Sequence, residues 1–130
     1  KYETIFVFIA DLHEFIESVY QPKEDVIKIG PFVENVMEKG SLHNIYFIAA
    51  VDTKDISFMR GSRAYEAMIS YHTGIQLGGN AMEAAYFDFS HLTYTEQNKG
   101  YKAGIGMIPR DNDESGVQKV IIPQYRKRDV

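Results

Sequence analysis

The chain has 130 residues, of which 45% are hydrophobic and 25% charged, the composition of an ordinary globular domain. A formal net charge of −4 argues against a duplex-binding surface, and Arg126-Lys127-Arg128, its only basic cluster, reads as a solvated tail. With no cysteine, disulfides, thiolate chemistry and Cys-ligated zinc are excluded, and no apolar run approaches the roughly 20 residues that span a bilayer.

Residues 4–10 (TIFVFIA) are continuously apolar and predict a buried strand, of the kind found in sheets covered on both faces. Since the chain opens on Lys1 and is inside this strand almost at once, a larger protein with preceding elements is expected. Residues 12–20 predict a helix with Leu12, Phe15, Ile16 and Val19 on one face. Pro22 and Gly30-Pro31 punctuate 21–31, where Val26, Ile27 and Ile29 suit a short helical turn. A helix is expected from Pro31 to Lys39, with Gly40 as its stop.

Residues 45–51 (IYFIAAV) predict a second buried strand, followed by a loop at 52–55 and a helix over 56–71. That helix places Ala64, Tyr65, Met68 and Ile69 at core spacing, with Gly61 weakening its first turn. A short third strand is expected at 73–77, then a helix over 81–87 capped by Asn80 with Glu83 three residues on. The stretch 88–103 reads as irregular. Residues 104–108 and 117–122 predict an antiparallel hairpin across the acidic loop PRDNDESG. Strands alternating with helices imply an α/β fold, a parallel sheet flanked by helices with an antiparallel C-terminal hairpin.

Asp11 stands where β-strand meets helix, the place where open α/β sheets bind ligands and where a nucleotide site holds Mg²⁺. A carboxylate there also caps the helix that begins at Leu12, which is the commoner role of a single acid. No Lys is followed by Ser or Thr, so the chain holds no G-x-x-x-x-G-K-[ST] phosphate loop. Leu12 cannot polarise a water, and Glu14 lies on another side of the helix.

His13, His43, His72 and His91 have no metal-ligand spacing, and Ser57, Ser62 and Ser70 have no nucleophile-elbow context. Gly104-x-Gly106 lies among strand residues rather than in a dinucleotide fingerprint. Arg60 and Arg63, after the second strand, are candidates for arginines acting in trans on a neighbouring subunit's phosphate, against the plainer role of a solvated helix face. Tyr65, Tyr71, Tyr86, Tyr94 and Tyr101 are candidates for a peptide groove, or for half-buried packing. A groove between the helix of 81–87 and the aromatic stretch 86–101 would suit an amphipathic peptide helix.

The order of these pieces is more specific than any one of them. FVFIAD, then GSLHNIYFIAAVDT, YHTGIQLGGNAMEAAYFDF, YKAGIGMIP and VQKVIIP resemble the C-terminal half of a FtsK/SpoIIIE-type P-loop ATPase domain. Within that family the best likeness is to the EssC/EccC motors of type VII (ESX) secretion. The resemblance spans nearly the whole chain and implies a RecA-like parallel sheet whose Walker A region lies upstream of residue 1. It also implies a cytoplasmic domain of a membrane-anchored protein, with ATP and Mg²⁺ bound by the intact domain and none by this chain alone. Implied partners are secreted WXG100-type substrates, other ATPase domains of the same polypeptide and further copies of the chain, with no direct DNA contact.

The departures bear on catalysis. The family's Walker B pair, Asp-Glu, is Asp11-Leu12 here, and its polar sensor falls on Ala49, Ala50 and Val51, with Ala50 and Val51 standing for the catalytic side chains. Both imply a degenerate domain that no longer hydrolyses ATP and serves substrate recognition and regulation of export. A DNA translocase would instead keep the acidic pair and a basic surface, and a protein-interaction module without nucleotide chemistry would need no upstream phosphate loop.

Overall fold

β1 (Ile5–Ile9) and β2 (Ile45–Ala49) run parallel, pairing in sequence from Ile5 with Ile45 to Ile9 with Ala49. Parallel strands require a crossover, and here it includes α1 (Leu12–Tyr20) and α2 (Gly30–Lys39). The computed structural model describes residues 3–20, 29–83, 87–110 and 116–123, so the turn expected around Val26 and Ile27 lies outside the described residues. The chain divides into two compact units, Lys1–Tyr71 and His72–Val130.

In the first unit α1 turns Leu12, Ile16 and Val19 inward, three of the four residues placed on that face by periodicity; Phe15 is half-buried. Pro31 sits in the first turn of α2, and Gly40 opens a 3₁₀ turn (Gly40–His43) that closes on a left-handed Asn44. The single helix expected over 56–71 is two short ones, α3 (Ile56–Met59) and α4 (Arg63–Ile69). Gly61 explains the break: it takes φ = +85°, which ends one helix, and Ser62 then caps the next by accepting from the Tyr65 amide. Ile9, Leu12, Met37, Met59, Ala64 and Tyr65 are all buried in this unit.

The expectation that β1 and β2 are buried on both faces is corrected. Phe6, Phe8, Tyr46 and Ile48 are exposed, while Val7, Ile9, Phe47 and Ala49 alternate with them on the more covered side. A covered face needs helices, and the described ones leave that face open.

The second unit is an antiparallel sheet in the order β3 (Gln76–Gly79), β4 (Tyr101–Pro109), β5 (Val117–Ile121). The third strand therefore joins the C-terminal hairpin and not the parallel pair, giving two separate sheets. Its residues shift from 73–77 to 76–79 because Gln76 and Leu77 register against Met107 and Gly106, and Gly78 and Gly79, both at positive φ, form a bulge before Tyr101. The helix expected over 81–87 is a 3₁₀ turn at Ala81–Glu83; Asn80 and Glu83 do bond reciprocally, as a capping pattern requires, and 84–86 lie outside the described residues. Inside the stretch read as irregular stands α5 (Tyr94–Gln97), whose Thr93 and Glu96 form a capping box. Among the described residues no helix is long and apolar enough to cross a membrane.

Candidate functional site

The carboxyl ends of β1 and β2 bring together four of the residues singled out from the sequence, Asp11, Leu12, Ala50 and Val51. The Asp11 carboxylate accepts the Glu14 amide at 3.0 Å, and its carbonyl accepts from Phe15 at 3.1 Å, so Asp11 serves as the cap of α1. Leu12 is packed in the core, 2% exposed, and its amide donates to the Ala50 carbonyl at 2.9 Å. The Ala50 amide in turn donates to Ile9, which laces the two strand ends together. Ala50 is exposed and Val51 half-buried, and neither has a side chain that bonds to a phosphate.

Just beyond, the Asp52 carboxylate accepts from the Lys54 amide at 3.1 Å and pairs with its ammonium at 2.9 Å. That pairing holds the Asp52 carboxyl below the usual range, chiefly through the side-chain bond from Lys54, and lifts Lys54 correspondingly. Lys54 also feels Asp55 and Asp11, so the edge is a small acidic rim around one exposed cation. Among the described residues no three His, Asp or Glu side chains converge as a metal site.

The two arginines part company. Arg60 is exposed at the end of α3, its backbone having left the helical region. Arg63 is held inside its own unit, with one guanidinium nitrogen 2.7 and 2.9 Å from the two Glu38 oxygens and another 3.2 Å from Glu34. Glu34 is a buried carboxylate, 8% exposed, and the Tyr20 hydroxyl donates to its other oxygen. The cluster thus ties α1, α2 and α4 together. To act in trans, Arg63 would have to leave two carboxylates. Glu34 and Glu38 stand four apart on α2, a spacing that puts both on one face and was the available sign of a cation opposite.

Partial burial raises the Tyr20 phenol above its ordinary value, and the bond to Glu34 raises it further. A raised folded-state value means the neutral phenol is favoured by folding. Its contribution is therefore whole below the unfolded value near 10.0 and is lost as the pH rises through the folded one. Alkaline denaturation followed by helical circular dichroism should show a shallower loss above that pH for Tyr20→Phe than for the parent, from a lower starting stability. An equally steep loss in both would remove Tyr20 as the titrating group.

The remaining histidine and tyrosine candidates differ in exposure. His13 stacks on Phe58 at 5.7 Å, His43 lies exposed in the 3₁₀ turn, and His72 is exposed at φ = +49°. Tyr65 is 3% exposed, Tyr71 and Tyr94 are open to solvent, and Tyr86 lies outside the described residues. The ring of Tyr101 has the ammonium groups of Lys99 and Lys119 at 5.6 and 5.3 Å. Where a peptide groove was expected, Ala81, Phe89 and Leu92 pack with Met107 and Val117 into the core of the second unit. No family model matches this chain, and neither a curated protein nor a solved structure shows significant similarity to it.

Proposed function

We propose that this chain is the C-terminal portion of a degenerate, non-hydrolysing P-loop ATPase domain from a type VII secretion motor, working in recognition of WXG100-type substrates and regulation of their export. The observation that carries the reading is the end of β1: a parallel strand delivers Asp11 to the sheet's carboxyl edge, and the next side chain, Leu12, is packed in the core where a catalyst would present an acid. The apolar Ala50 and Val51 at the neighbouring strand end agree with lost hydrolysis. So does the engagement of Arg63 with Glu34 and Glu38. On this reading the chain belongs to the cytoplasmic side of a membrane-anchored protein, beside other ATPase domains of the same polypeptide.

The test is a fluorescence-anisotropy titration of a labelled C-terminal peptide from a WXG100-type protein with the chain, against a scrambled peptide. Saturable, sequence-dependent binding with no ATP turnover above the buffer rate is expected. Absence of binding at high micromolar concentration would sink the recognition role, and turnover by the chain would sink the degenerate one.

A further inference from the structure

Tyr101 opens β4 and packs, half-buried, against the core of the second unit. Its phenol oxygen is shut off from solvent, and among the described residues it is the buried side-chain polar atom left without a hydrogen-bond partner. Folded proteins rarely leave such a group unsatisfied, so the kind of partner it lacks is informative. The groups around it are donors. Lys99, just beyond the end of α5, and Lys119, in register with Met107 on β5, hold their ammonium groups 5.6 and 5.3 Å from the centre of the ring. Neither lysine forms an ion pair among the described residues. The phenol oxygen holds Lys119 above its ordinary range, yet the two lack hydrogen-bonding geometry. A bond from Lys119 would in any case serve only the oxygen's lone pairs and leave the phenol proton without an acceptor.

The carboxylate that both lysines act on is Glu96, and it is already engaged: the Thr93 amide and hydroxyl donate to one of its oxygens at 3.0 and 2.9 Å. Two ammonium groups against this single carboxylate leave one net positive charge beside an O–H that lacks an acceptor. That balance suits a singly charged oxyanion better than a doubly charged phosphate. We propose that Lys99, Tyr101 and Lys119 form a carboxylate-binding site. On the function proposed above, which this inference rests on, the occupant is a carboxylate of the substrate peptide, from its C-terminus or from an acidic side chain. The phenol donates to one carboxylate oxygen and the ammonium groups pair with the charge, supplying the acceptor that the free chain lacks. Both lysines are exposed on flexible stems, so their heads part to admit the group.

Amide NMR of the whole chain, titrated with sodium acetate against sodium chloride at matched ionic strength, tests the site directly. Saturable shifts centred on Lys99, Tyr101 and Lys119 are expected, with inorganic phosphate binding no more tightly than acetate. Tyr101→Phe keeps the ring and Lys119→Met keeps the stem; each should weaken acetate binding about fivefold or more. Lys102→Met, an equal loss of charge at the next exposed residue of β4, should not. Unchanged amide shifts elsewhere in β3, β4 and β5 report that the variants stay folded. The labelled substrate peptide then identifies the occupant, its C-terminal amide separating the terminal carboxylate from the acidic side chains. No response to acetate beyond chloride, a response that Lys102→Met weakens as much, or a preference for phosphate overturns the site. Peptide binding untouched by Tyr101→Phe and Lys119→Met overturns the inference while sparing the recognition role. Acetate binding without peptide binding spares the site and sinks the recognition role.

Discussion

Leu12→Glu is expected to unfold the Lys1–Tyr71 unit and not to restore hydrolysis. On the proposed reading the substitution recreates the acidic pair of a competent ATPase strand end, so it separates two views of the position. If residue 12 faces a nucleotide, the variant gains a catalytic base. In the structure the side chain is 2% exposed, on the face of α1 that also buries Ile16 and Val19. Losing a buried leucine removes about 1.5–3 kcal/mol of transfer energy. A carboxylate in its place adds a desolvation penalty of several kcal/mol, or else takes up a proton and still lacks a partner. The sum approaches the whole stability of a small domain, about 5–15 kcal/mol. Urea unfolding, read through amide exchange in β1 and β2, should show the transition moved to low denaturant or lost. A folded Leu12→Glu chain with measurable ATP turnover would overturn both the burial argument and the degenerate reading.

Met107→Ala is expected to be the costliest simple truncation in the second unit. Met107 is 0% exposed on β4, the middle strand of its sheet, in register with Gln76 on one side and Lys119 on the other. Ala81, Phe89, Leu92 and Val117 surround it in the core, with Phe87 and Tyr101 packed against them. Truncating a buried methionine costs about 2–5 kcal/mol, the spread reflecting how far the cavity closes. Met107→Leu, which keeps the volume, should cost less than about 1.5 kcal/mol. Exchange of the β3–β5 amides measures both, and a Met107→Ala effect below about 1 kcal/mol would mean that the sheet does not rest on this residue.

The elements that the sequence by itself determined are those built from neighbours in the chain. The helix over 12–20 was legible to the residue, because apolar spacing, a capping acid and the preceding strand all act within one or two turns. The capping box at Thr93 and Glu96 carries a local Thr-x-x-Glu signature as well, but the reading of 88–103 as irregular missed it, because the helix it starts is a single short turn in a polar stretch. The same holds for the strand that ends on Asp11 and for the apolar residue that follows it.

Tertiary structure decided what depends on distant partners. TGIQL suits a parallel or an antiparallel strand; only pairing with β4, whose residues come some thirty positions later, made it antiparallel and shifted it onto its glycines. Arg63 reads as a solvated helix residue until the fold brings Glu34 and Glu38, 29 and 25 positions back, to its guanidinium. The apolar run of β1 announces a strand without saying which face is covered, and the described helices cover one. Local patterns are selected by backbone geometry over a few residues, whereas register, ion pairing and burial are set by which segments meet after long loops close, and a single stretch carries only half of each such contact.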